Sequence, residues 1–142
     1  MPRWIVLVLA LLLAGCSSMS LDEFKGTTPE FRPEEYFVGQ TKAWGFFQDR
    51  FGTVRRQFTV DIVGTMEGDT LVMDEKFAYA DGERSTRVWH IKKMPDGSYQ
   101  GTADDVVGTA IGRTQGQAMS WGYQFDLKVG SSTWRVWFDD LM

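Results

Sequence analysis

From Gly39 onward the chain alternates apolar and polar residues with a period of two. Over 53–63, Phe58, Val60 and Ile62 fall on one face and Gln57, Thr59 and Asp61 on the other. Over 69–80, Leu71, Met73, Phe77 and Tyr79 share a face, and over 84–94 Trp89 and Ile91 oppose Val88 and His90. The clearest stretch is 117–129. There Met119, Trp121, Tyr123, Phe125, Leu127 and Val129 alternate with Ala118, Ser120, Gly122, Gln124, Asp126 and Lys128. Side chains of a strand point alternately to its two faces, so each stretch predicts a strand with one face buried. The breaks carry turn residues: Gly68-Asp69, Asp81-Gly82, Asp96-Gly97 and Gly130-Ser131. Such pairs tolerate the positive φ that tight hairpins require. Eight strands follow, near 39–49, 53–65, 69–80, 84–94, 98–104, 106–115, 117–129 and 132–139. Short strands joined by hairpins form an antiparallel meander, and a meander of this length tends to close into a barrel, which removes its edges. The fold class is therefore all-β, with an open sheet or sandwich as the alternative.

The front of the chain follows another pattern. Met1-Pro2-Arg3 is a short basic start and 4–13 is apolar throughout. That run is shorter than the roughly 20 residues a membrane helix needs, and it has the proportions of a secretory signal. It ends in Leu13-Ala14-Gly15-Cys16, which resembles the bacterial lipobox. The resemblance implies that the Cys16 thiol receives a diacylglycerol, that the peptide is cut before it, and that the new amine is acylated, with chains of the palmitate type. Two or more chains give stable anchoring. It also explains why the only cysteine stands there. Ser17 next to it is similar to lipoproteins sent to the outer membrane. The expected organisation is a signal peptide over 1–15, a lipid-anchored tether over 16–36 with one helical turn at 33–37, and a β-barrel domain over 37–142.

Composition narrows the partners. Loss of residues 1–15 leaves 127 residues, 14 basic against 19 acidic, a net charge of −5. An acidic domain is a poor ligand for nucleic acid and gains nothing from charge at an anionic bilayer. The expected partners are the membrane, through the anchor, and a lipid or fatty-acid ligand.

Six segments resemble one family: 31–39 (FRPEEYFVG), 43–52 (AWGFFQDRFG), 74–83 (DEKFAYADGE), 87–91 (RVWHI), 101–112 (GTADDVVGTAIG) and 137–140 (WFDD). They are similar to the Gram-negative lipoprotein family catalogued as domain of unknown function 3833. That resemblance implies a lipoprotein with a lipocalin-like barrel and, by gene association, a lipid-linked role. It carries no catalytic residues, because the family has no established activity. Members continue past the matching Asp-Asp, so the resemblance implies a barrel incomplete at its C-terminus. The alternative is a ring of eight strands closed by pairing 132–139 with the first strand. Trp44 beside Gly45 is similar to the tryptophan that plugs one end of lipocalin barrels.

Candidate chemistry is sparse. The only histidine, His90, cannot build a His-rich metal site, and no metal or cofactor is expected. Asp104-Asp105 and Asp139-Asp140 are the best polar candidates. In a strand, only one of each pair can face inward, and a buried aspartate needs a partner such as Arg87 or Arg135. The expected pocket residues are Trp44, His90, Asp104, Asp105, Trp121 and Trp134. Gly108, Gly112 and Gly116 read as a barrel corner. Three functions follow: carriage of an apolar ligand, a scaffold for a protein partner, or an enzyme acting on lipid through His90 or an aspartate. A lined interior cavity separates the first from the second, and His90 beside a carboxylate in that cavity marks the third.

Overall fold

The computed structural model describes residues 19–142. Cys16 and the signal segment lie outside the described residues. Eight strands run β1 (Gly39–Gln48), β2 (Val54–Glu67), β3 (Thr70–Tyr79), β4 (Arg84–Lys93), β5 (Tyr99–Thr102), β6 (Val106–Gln115), β7 (Ala118–Val129) and β8 (Ser132–Leu141). They form one antiparallel sheet in the order of the sequence, as the alternation predicts.

The sheet is curled but does not close. Among the described residues β1 pairs only with β2 and β8 only with β7. Those two strands meet instead through side chains, with the Phe47 and Phe138 rings 5.2 Å apart. The architecture is a half-barrel of lipocalin-like meander type, open along one side.

Inward positions form the core. Val60, Ile62, Leu71, Met73, Trp89, Ile91, Tyr99, Met119, Trp121 and Tyr123 are all buried. Trp121 lies across two glycines of neighbouring strands, and a Cβ at Gly101 would sit 2.6 Å from its indole. Gly112 makes the same room from β6. The glycines read as a corner therefore have separate reasons. Gly112 admits an indole, while Gly108 (φ +68°) lies where the β6–β7 register shifts.

The segment before β1 is packed. Ser20 caps a 3₁₀ turn, Leu21–Phe24. The Phe31 N–H donates to the Gly116 carbonyl at 2.7 Å, and the Gln117 N–H donates to the Thr27 hydroxyl at 2.9 Å. Gly116 has φ +54°, and a Cβ there would strike the Phe24 carbonyl and the Thr27 hydroxyl. Only glycine serves both the turn and the contact. Helix α1 (Pro33–Tyr36) starts on proline, whose missing N–H has no partner to lose in a first helical turn. Pro33 and Phe37 are buried, while Glu34 accepts from the Tyr99 hydroxyl and from Lys93, each at 2.8 Å. These residues plug one end of the half-barrel, the end with turns 68–69, 94–98 and 116–117. The opposite, tip end carries turns 49–53, 80–83, 103–105 and 130–131. Within the segment expected as tether, 16–36, Thr27, Phe31 and Glu34 bond to the strands or their turns and Pro33 is buried.

Candidate functional site

The inward face changes character from plug to tips. Near the plug, large side chains are fully buried. Toward the tips, Phe47, Phe58, Phe77, Tyr79, Phe125 and Phe138 also point inward but remain partly exposed. They form a bowl of rings in mutual contact: Phe58 is 5.4 Å from Phe77, and Phe138 lies 6.2 Å from Phe125 and stacks on Tyr123 at 5.6 Å.

Between bowl and core sits a polar cluster, fixed by register. Period two along β3 puts Glu75 inward between Met73 and Phe77, and β4 puts Arg87 directly opposite Glu75. The same rule on β8 turns Asp140 inward opposite Trp121 and Asp139 outward opposite Gly122. Arg87 donates through Nε and Nη2 to the two carboxylate oxygens of Asp105, at 3.0 and 2.9 Å, and through Nη1 to the Tyr123 hydroxyl at 3.4 Å. Its guanidinium also lies 5.4–5.9 Å from the Phe77, Trp89, Tyr123 and Phe125 rings, within cation–π range. Burial opposes its charge most strongly, but the bonds and charge of Asp105 together with Tyr123 outweigh it and raise its pKa.

Glu75 is the buried charge-bearing group of the core, with only 8% of its surface exposed. Burial pushes its pKa up to about 7; the Arg87 charge and the Trp89 indole draw it back, and the Asp140 charge adds to the rise. Asp140 is pushed to about 6, again mainly by burial, against the Arg87 charge and the Tyr123 hydroxyl. Burial likewise raises the Tyr123 phenol. The floor of the bowl therefore holds a fixed guanidinium, a neutral phenol and two carboxyls that change protonation just below and around neutral pH. Such a set can donate and accept hydrogen bonds to the polar end of a ligand whose apolar part rests on the rings.

The expected pocket residues separate. Trp121 is buried beneath the cluster, its indole 5.2 Å from that of Trp89, and Asp105 holds Arg87. Asp104 and Asp105 are both exposed, because they lie in the β5–β6 turn rather than in a strand where one of them would face inward; Asp105 reaches Arg87 from there. Trp134 has the inward parity of Val136 and Phe138 but stands exposed at the tip of the β7–β8 hairpin. Trp44 and His90 lie on the outer face, Trp44 with 73% of its surface exposed, so neither reaches the interior. The reason is parity: Ala43 and Gly45 take the inward places on β1, and Trp89 and Ile91 take them on β4. Of the two proposed aspartate partners, Arg87 serves Asp105, whereas Arg135 pairs with Asp126 at 2.8 Å on the outer face. Glu75, missed in the sequence, had a signal: it is the one charged residue in the inward series Leu71, Met73, Glu75, Phe77, Tyr79.

Among the described residues no group of side chains is arranged to hold a metal ion, and no helix is long and apolar enough to cross a membrane. No curated protein and no solved structure matches the chain. One family profile, described as protein of unknown function (DUF3833), matches residues 10–142. That span takes in the half-barrel, its plug and the whole polar cluster, and this chain is a member of that family.

Proposed function

We propose that this chain is a periplasm-facing lipoprotein, anchored through Cys16 to the outer membrane, whose bowl binds an apolar or lipid-like ligand. The observation that carries the reading is the inward ring layer that stays partly wet. A finished core buries its rings, yet Phe47, Phe58, Phe77, Phe125 and Phe138 are each half-buried on the inward face of the curled sheet. Covering them with an apolar chain contributes about 25 cal/mol per Å² removed from water. The polar floor gives that ligand an orientation, with its headgroup at Arg87, Glu75 and Asp140. The lipobox-like Leu13-Ala14-Gly15-Cys16 supports the anchor.

A direct test is native mass spectrometry and lipid extraction of the protein purified from its own membrane. The expected result is an acylated Cys16 no longer joined to Gly15, together with a second, non-covalent lipid-like species. Acylated protein without such a species, and without quenching of Trp89 and Trp121 fluorescence by brominated fatty acid, sinks the ligand. The scaffold reading keeps one observation of its own. Trp44, Phe46 and Val54 form an exposed apolar ridge on the outer face of β1–β2, where a protein partner has room to dock.

A further inference from the structure

We propose that the domain stands with its plugged end against the membrane that anchors it, and with the bowl directed away from that membrane. The inference rests on the lipid anchor at Cys16 proposed above, and it follows from where the chain enters the fold.

Ser20 already caps the first structured turn, and only Ser17, Ser18 and Met19 separate it from Cys16. Four residue steps reach at most about 14 Å at 3.3–3.6 Å each. The turn itself cannot swing. Two hydrogen bonds fix Thr27 and Phe31 to the β6–β7 turn, and the Gly116 backbone lies against the Phe24 carbonyl. A lipid on Cys16 is therefore tied to the end that carries turns 68–69, 94–98 and 116–117. The tips lie a strand length away, on the order of 30 Å for strands of ten to twelve residues tilted as in a barrel.

Among the described residues most basic side chains at the plugged end are paired with acids, Lys25 and Arg113 excepted. Lys92 pairs with Asp69, Lys93 with Glu34, and Arg32 with Glu30 and Glu35. The short tether, not charge, sets the orientation, so it should persist in zwitterionic bilayers. α1 and Phe37 close this end, and the bowl opens toward the tips. Its ligand is then exchanged on the side remote from the anchoring bilayer.

The test uses the full lipidated chain in phosphatidylcholine vesicles with a nitroxide quencher on the lipid headgroup. The lipid occupies the only native thiol, so a single added cysteine takes a fluorophore alone. Glu67→Cys reports on the plugged end and Ser131→Cys on the tips; both positions are exposed. Quenching at 67 should exceed quenching at 131 several-fold, with little change when anionic lipid is added. Equal quenching, or stronger quenching at 131, overturns the orientation. Insertion of twelve Gly/Ser residues between Ser18 and Met19 should erase the contrast; a contrast that survives shows that the tether is not its cause. A chain that carries an unmodified Cys16 and stays off the vesicles fails at the anchor instead.

Discussion

The two halves of the half-barrel interior are built from the same residue types and end in different states. Near the plug, Met73, Trp89, Ile91, Met119 and Trp121 interlock and exclude water. Toward the tips, Phe58, Phe77, Phe125 and Phe138 face the same way and stay partly wet. The difference is in what lies over them. Phe31 and Phe37 pack against the first half, whereas over the second β1 and β8 are not hydrogen-bonded and meet through the Phe47 and Phe138 rings. An inward-facing aromatic is thus a core residue only where something closes above it, and elsewhere it is a surface prepared for an apolar guest.

Four substitutions probe that contrast, with chemical denaturation as the common measurement. The largest loss is expected for Trp121→Ala, which empties the space above Gly101 and Gly112 at a cost of about 4 kcal/mol. Arg87→Ala comes next, at roughly 3 kcal/mol, because it removes the half-buried cation beside the buried Glu75 and its bonds to Tyr123 and Asp105; Asp105 itself is exposed and stays hydrated. A loss below about 1 kcal/mol would show that the cluster is solvated and that the boundary between the halves is misplaced.

Glu75→Gln tests the same boundary with the opposite sign. The folded pKa of Glu75, about 7, lies above its ordinary value of 4.5. Below pH 4.5 both folded and unfolded chains carry the proton. Between 4.5 and 7 the unfolded chain loses it while the folded chain keeps it, so stability falls as pH rises through that window. Above pH 7 the loss is complete, on the order of 3 kcal/mol. Glutamine removes this slope, and the variant should be more stable than the wild type by about that amount at pH 8 and equal to it at pH 4. Asp140 keeps a slope of the same sign, over a slightly narrower window between its ordinary 3.8 and about 6. A variant whose pH profile superimposes on the wild type would place the buried charge elsewhere.

Phe125→Ala, in the wet half, should cost only about 1 kcal/mol of the stability of the ligand-free protein, since its ring is already half in water. Its larger effect should fall on the binding of a fatty-acyl probe. A stability loss equal to that of Trp121→Ala would make the two halves one core.

Strand positions and faces were legible because a period-two pattern is fixed by the pleat wherever no bulge interrupts it. Trp121 and Tyr123 are buried and Gln124 is exposed, as the alternation demands. The same rule already contained Glu75 and Asp140 as inward residues, since both keep step with apolar neighbours. What alternation cannot convey is closure. Trp44 and Trp134 look equally apolar in sequence, yet one is on the outer face and the other stands past the last covered layer. Nor does it show that Arg87 and Asp105, 18 residues apart, converge across the β4–β5–β6 turns. The helical turn at 33–37 was readable from Pro33, but its docking as a plug depends on Gly64, where a Cβ would strike the Phe37 carbonyl, and no local pattern connects the two.

The strand order, identical to the order of synthesis, has a kinetic consequence. Every strand finds its partner across a turn of two to five residues, so each hairpin closes a short loop and loses little chain entropy in doing so. The sheet can assemble one hairpin after another as the chain is delivered. The plug obeys a different clock: Thr27 must wait for Gln117, 90 residues later, before its first contact with the sheet exists. Contacts of such separation are the slow ones in folding. The plug is thus tied to the sheet in two steps of sequence separation: Phe37 and Val38 already meet Gly64 on β2, and Glu34 meets Lys93 and Tyr99, whereas Thr27 and Phe31 have no partner in the sheet until the β6–β7 turn is made.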